Sequence, residues 1–350
     1  NRLNLTADAY VRDTKGMQTS GKKLPGAYGA NEPKQNAANL RTKGWELMLT
    51  WNDAFKLANK PFRYNLSVGL ADNTSEITKF DNPSKILSDY YVGQKLGDIW
   101  GYVVDGLFRT DEEAANYNVD QTAVNFVINT AQVNPGLHAG DMKFVDLDGD
   151  HTISSGSNTA DDPGDRKIIG NSLPRYTYSI QGGFDWYGFD FSIYLQGVGH
   201  QDWYPGTNSV FFWGPYARPY SSFIPRDFLS QVWSPENPDA YFPRPIGYLA
   251  LGNNRSLGVV NDRYLQNLAY CRLKNITVGY TIPALWTKKV KIERLHIYFS
   301  GENLFTFSPL KSDYIDPEQA SAENSIQSAN GNAKLYPWSK TYSFGVNVTF

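Results

Sequence analysis

The chain is poor in cysteine, has no long apolar run and carries no excess of either charge, and each shortage removes a class of protein. Cys271 is the single cysteine in 350 residues, so no internal disulfide can form. No stretch of about eighteen consecutive apolar residues occurs, which excludes a membrane-spanning helix. It does not exclude a spanning β-strand, because only alternate residues of such a strand meet lipid. With 33 basic and 35 acidic residues the formal charge is −2, so the chain as a whole lacks the electrostatic footprint for nucleic acid or an anionic membrane surface. His138, His151, His200 and His296 are scattered without metal-ligand spacing, and no GxSxG, HExxH or phosphate loop appears. Nothing in this pattern makes an enzyme. Helix signals are confined to short pieces such as Asp111 to Tyr117.

What the chain has in abundance is aromatic side chains, 15% of all residues, and a period of two. In the last ten residues, Tyr342, Phe344, Val346, Val348 and Phe350 alternate with Thr341, Ser343, Gly345, Asn347 and Thr349. Successive side chains of a strand point to opposite faces, so this segment has one apolar and one polar face. Leaving such side chains in water forfeits roughly 1.5–3 kcal/mol each, so the apolar face must meet a second sheet or lipid. The same alternation marks strands over residues 2–14, 45–51, 62–70, 175–186, 189–198, 269–282 and 295–299. Long connections, about 15–39, 72–174, 199–266 and 308–337, alternate with short ones. This asymmetry predicts an all-β chain: eight strands of a transmembrane antiparallel β-barrel with every long loop on one side. Trp45, Trp51, Trp186 and Tyr187 stand near strand ends, where interfacial girdles are expected. The alternative is a soluble or surface-anchored β-sandwich that binds glycans, which requires a second layer over Phe344 and Val346. The opening residues already read as a strand, with no signal peptide ahead of them, which suggests a mature segment or fragment.

Two stretches carry candidate chemistry. Asp146, Asp148 and Asp150, alternating around Gly149, resemble the first half of a calcium loop, where hard carboxylate oxygens converge on the ion. The acid expected eleven residues after Asp146 is replaced by Ser157, so closure falls to Asp161, Asp162 or Asp165. The expectation is one structural Ca2+ (or Mg2+) held by Asp146, Asp148, Asp150, Thr152 and Asp165, the bland alternative being a solvated acidic turn. The second stretch supplies the substrate candidates Trp203, Tyr204, Phe212, Trp213, Tyr216, Trp233 and Tyr241, flat rings able to stack on sugars or peptide side chains. Against that stands internal packing, since a sixty-residue loop needs a core of its own.

Several segments resemble the C-terminal part of SusC/RagA-type TonB-linked outer-membrane proteins. They are Asp105-Gly106-Leu107-Phe108, Gly140-Asp141 leading into the Asp-rich run, Asp165-Arg166-Lys167-Ile168-Ile169-Gly170-Asn171, Gly188-Phe189-Asp190-Phe191-Ser192, residues 272–280, Gly301-Glu302-Asn303-Leu304-Phe305-Thr306-Phe307, Asp316-Pro317-Glu318 and the closing Phe344–Phe350. Their order and spread cover nearly the whole chain. The resemblance implies the last strands of a larger, plugged barrel of about 22 strands that imports oligosaccharides or peptides. It also implies a SusD-like lipoprotein partner at the extracellular mouth and coupling to the TonB complex through a plug and N-terminal part outside this sequence. In the family, the acid before the Arg-x-Ile-Ile-Gly run ends the Asp-rich loop, a place that Asp165 occupies here.

Overall fold

The computed structural model describes residues 2–20, 29, 33–124, 136–217, 224–246, 248–252, 255–320 and 336–350. Eight long strands follow one another: β1 (Leu3–Ser20), β2 (Lys34–Leu57), β3 (Lys60–Lys79), β4 (Arg175–Trp186), β5 (Phe189–His200), β6 (Tyr270–Thr281), β7 (Arg294–Glu302) and β8 (Thr341–Thr349). Each pairs antiparallel with the next in sequence, and Thr306–Phe307 adds a short ninth strand beside β6. The sheet is open: β1 and β8 lie at opposite ends of the pairing order.

At one end the connections are tight. Ala58 and Asn59 join β2 to β3 with φ of 50° and 60°, and Tyr187 and Gly188 join β4 to β5 with φ of 48° and 90°. Two successive left-handed residues make the turn whose twist matches the right-handed twist of the strands. At the other end the strands outrun the apolar alternation. β1 continues to Ser20, β2 begins at Lys34 and β3 continues to Lys79, so the connections expected at 15–39 and from 72 onward are shorter than their sequence suggests. The backbone ladder needs no apolar side chains, and polar residues such as Thr42 and Ser75, whose hydroxyls meet at 2.8 Å, carry it upward.

Register is the feature that organises the sheet. Leu5 lies opposite Leu49, Leu49 opposite Val68, Val68 opposite Ile180, Ile180 opposite Leu195 and Leu195 opposite Leu273. Further along, Val278 faces Phe299, and Phe299 faces Phe344. The apolar halves of all eight strands therefore share one face, and a slip by one residue anywhere would break the stripe. Leu273 and Ile276, three apart, would point to opposite sides of a regular strand; a bulge between Leu273 and Asn275 returns both to the stripe.

The stripe is uncovered. Phe344 is 83% exposed and Val346 59%, so no second layer of this chain packs on them among the described residues. The sandwich alternative requires such a layer, and the described residues of this chain do not supply it. On β2 the apolar alternation Trp45, Leu47, Leu49 and Trp51 is interrupted by Asp53, which pairs with Arg2 at 3.0 Å, and resumes at Phe55; the ten steps from Trp45 to Phe55 make about 34 Å of strand and ~26 Å of height at a ~40° tilt, against a lipid-facing band about 25 Å tall in spanning barrels. Rings crowd its short-turn margin: Phe55–Phe62 at 5.0 Å, Phe62–Phe184 and Phe184–Phe191 at 5.3 Å, Phe189–Tyr280 at 4.5 Å. Trp51 donates its Nε1–H to the Tyr64 hydroxyl at 3.1 Å, which satisfies the indole within the sheet.

The buried core lies elsewhere. Met142, Phe144, Ile153, Trp203, Trp213, Leu257, Tyr264 and Leu268 have almost no exposure, and all belong to the long connections. The chain thus carries a module built from its loops on top of a sheet with one apolar and one polar face.

Candidate functional site

The polar halves of the strands form the concave side of the sheet. Two hollows open there, one of about 440 Å3 bordered by Thr6, Asp8, Glu46, Ser179, Tyr194 and Gln196. The other, of about 700 Å3, lies against Asn52, Arg63, Asn65, Gln181, Asp185 and Ser192 nearer the short turns. Asp8 and Glu46 sit directly opposite each other across β1 and β2. None of these residues was singled out from the sequence, although the signal was available: they are the polar positions of the same alternation that revealed the strands.

The seven aromatic substrate candidates lie together, but in the interior of the loop module. Trp203, Phe212, Trp213 and Tyr216 are buried, and Tyr204, Trp233 and Tyr241 pack against the same core. The Phe212 and Trp213 rings meet edge to face at 4.7 Å, and Tyr264 lies 5.3 Å from Trp213. Their polar ends turn inward as well. Trp213 Nε1–H donates to the Gly206 carbonyl at 3.0 Å and the Tyr216 hydroxyl to the Pro243 carbonyl at 2.6 Å. Asn261 Nδ2 donates to the Tyr204 hydroxyl at 2.8 Å, and Gln266 Nε2 to the Tyr241 hydroxyl at 2.9 Å. Burial drives the Tyr204 phenol well above its ordinary pKa and pushes that of Tyr241 up to about 12. Trp203, Phe212, Trp213 and Tyr216 are thus taken up by the core that a long loop needs in order to fold, while Tyr204, Trp233 and Tyr241 remain half-buried at its edge.

Family-like segments bolt this module together. Arg244 clasps the buried Asp141 carboxylate, Nε to Oδ1 at 2.6 Å, linking the 199–266 connection to the 72–174 connection. Beside it Gly140, at φ +85°, lets the Trp233 ring approach so closely that a Cβ would lie 2.5 Å from it. Arg272 on β6, itself buried, reaches Asp316 at 2.5 Å and Glu318 at 2.6 Å, and Lys274 reaches Glu318 at 2.9 Å. The Asp-Pro-Glu stretch is thereby held against the sheet. Asp72 at the upper part of β3 takes a two-pronged bond from Arg175, both contacts at 2.6 Å.

The Asp-rich loop brings three of its five candidates together. One oxygen each from Asp146, Asp148 and Asp165 lie within 4.8 Å of one another. Asp165 is fully buried and accepts from the Leu147 and Ser154 amides at 2.8 and 2.7 Å. Asp146 accepts from the Gly149 and His151 amides at 2.7 and 2.9 Å. Asp150 stands outside this group of carboxylates, its own carboxylate turned back to accept from the Thr152 amide at 2.7 Å. For Asp146, partial burial raises the carboxyl pKa, but those two amides outweigh it and lower it. For Asp148 the Asp150 amide favours the charged form, yet burial and the neighbouring carboxylates of Asp165, Asp150 and Asp146 win and raise it. Among the described residues no basic side chain forms an ion pair with Asp146, Asp148 or Asp165. Uncompensated, convergent carboxylates with one buried member have the donor chemistry of a hard divalent cation site.

An open antiparallel sheet with an uncovered apolar face, a polar concave face and a loop-built cap defines the chain by its architecture. Over its full length it is 26% identical to TonB-dependent receptor P3 of Formosa agariphila, covering 32% of that protein, and 25% identical to the TonB-dependent receptor SusC of Bacteroides thetaiotaomicron, covering 30%. The fold of the whole chain matches 34% of a chain in the RagAB peptide transporter at a TM-score of 0.65 and 18% identity. In the 'open-open' state of the RagAB peptide importer it matches 33% of a chain at a TM-score of 0.67 and 19% identity. No family model matches the chain. Along its entire length the chain is thus similar to curated proteins named TonB-dependent receptor, SusC among them, and it spans about a third of the length of the relatives it matches. These relatives are named receptors and transporters, none of them an enzyme.

Proposed function

We propose that the chain is the C-terminal part of the wall of a larger, plugged outer-membrane β-barrel that imports oligosaccharides or peptides in a TonB-dependent manner, with a SusD-like lipoprotein over its mouth. TonB-dependent receptors and RagAB are outer-membrane proteins of nutrient import, which supports the compartment and the task. The single observation that carries the reading is the continuous apolar stripe, set by register across eight strands and left open, with the polar hollows directly behind it. Lipid accounts for the first face and a wet passage for the second. The chain then contributes transport and no bond chemistry.

In this reading the Asp-rich loop is a brace: Asp146, Asp148 and Asp165 would hold one Ca2+, whose charge relieves the repulsion that raises the Asp148 pKa. Passage contacts shift from the buried aromatic core to the concave face, Tyr194, Gln196, Asp8 and Glu46 foremost. The test uses the full-length receptor in its host. Deleting its gene should abolish uptake of one labelled class, oligosaccharide or peptide, and the purified receptor should bring down a surface lipoprotein. Unchanged uptake of both classes, with no lipoprotein recovered, would defeat the proposal.

A further inference from the structure

We infer that the connection between β6 and β7, residues 282–293, docks onto the phosphate-bearing leaflet at the short-turn end of the sheet, its lysines on lipid phosphates and its apolar side chains in the acyl boundary. The inference rests on the membrane reading above and adds a lipid contact to it.

The other two hairpins at this end turn in two residues. This one instead builds a shaped knob: a helical turn over Ala284–Thr287, a 3-10 turn over Lys288–Val290 and Lys291 in the left-handed region at φ 59°. The knob is fixed to the strands by Ile282 N–H to the Leu295 carbonyl at 2.9 Å and Glu293 N–H to the Thr349 carbonyl at 2.8 Å, and closed by Ile292 N–H to the Thr287 carbonyl at 3.1 Å. It presents Leu285, 82% exposed, with Trp286 and Val290, each 66% exposed. A turn facing water has no use for three such side chains.

Their setting identifies what covers them. Lys288, Lys289 and Lys291 are exposed, and among the described residues no acidic side chain forms an ion pair with any of them. Glu293 is the one carboxylate in the segment. A chain of net charge −2 has therefore gathered three ammonium groups within four positions of a single turn. The lipid-facing stripe ends at this level: Leu295 pairs with Val348, and Phe350 beyond it is 84% exposed. Tyr187 in the neighbouring hairpin is 58% exposed, with the Lys60 ammonium 5.1 Å from its ring centre. Apolar tips continuous with a lipid-facing band, rimmed by unpaired lysines, match the boundary between acyl chains and phosphates, where lysines and tryptophan anchor. A protein partner here would have to bring matching acids to the lysines, whereas the phosphate plane of the bilayer lies at this height already.

The test uses the full-length receptor reconstituted in phosphatidylcholine vesicles into which brominated phosphatidylglycerol or brominated phosphatidylcholine is titrated. The Trp286 signal is read as the difference between wild type and Trp286→Phe. Trp286 should be quenched by both lipids, with half-quenching at a lower fraction of the anionic one. The triple variant Lys288→Gln, Lys289→Gln, Lys291→Gln should abolish the preference for the anionic lipid and leave quenching by brominated phosphatidylcholine unchanged. A Trp286 that stays bright while other tryptophans are quenched places the knob in water or against protein and overturns the inference. So does quenching with no preference for the anionic lipid, or a preference that survives the triple variant. If no tryptophan is quenched and the receptor washes off the vesicles, the membrane reading fails first and takes this inference with it.

Discussion

Val346 stands at the middle of the apolar run of β8, opposite Ile297, with Asn347 beside it on the concave face. Arginine at each position in the full-length receptor separates lipid from water as the medium outside the sheet. If Val346 faces hydrocarbon, Val346→Arg places a guanidinium at the bilayer midplane and costs about 2–4 kcal/mol, roughly a 30- to 700-fold loss in the folding equilibrium. If it faces water, a residue already 59% exposed loses no packing, and the change stays within about 0.5 kcal/mol. Asn347→Arg enters a wet passage and should fall in the second range. Phe350→Arg, at the margin of the band, should cost at most about 1 kcal/mol. The assay is the denaturant midpoint and the heat-modifiable fraction of each variant assembled in vesicles. Equal midpoints for Val346→Arg and Asn347→Arg would refute the assignment of faces and the import reading built on it.

Two further outcomes follow from the loop module. Trp213→Ala should remove about 3–5 kcal/mol from that module, because the ring is fully buried against Phe212 and Tyr264. New protease cuts within residues 199–266 with unchanged heat-modifiable migration are expected, whereas an intact loop would show that the core is misassigned. Asp165→Asn keeps an acceptor for one of its two amide donors but removes the buried charge. Calcium should slow hydrogen exchange over residues 140–171 in the wild type and not in this variant, and a wild type indifferent to chelator would dismiss the cation.

Much of the sheet was legible in the sequence because strand periodicity is local. Each of Tyr342 to Phe350 announces its face by its neighbours one and two positions away, and Gly188, at φ 90°, marks the tight turn between two such alternations. The loop core was harder to read. Trp213 and Tyr216 look the same in sequence whether they stack on a ligand or on Phe242, since the choice depends on partners such as Tyr264, some fifty positions away. The Asp-rich loop lay between these extremes. Spacing and the family resemblance put Asp165 among five candidates, while the convergence of its carboxylate with those of Asp146 and Asp148 required the fold to bring it inward.

The sequence by itself therefore determined that the chain is built of eight strands with one apolar and one polar edge to each alternation, because side-chain direction along a strand needs no partner. Only the tertiary structure decided that all eight apolar edges share a single uncovered face, that the hollows open behind it and that Trp203, Phe212, Trp213 and Tyr216 lie in the core of their own loops. Those facts depend on inter-strand register and on contacts between residues far apart in the chain, which no local pattern encodes.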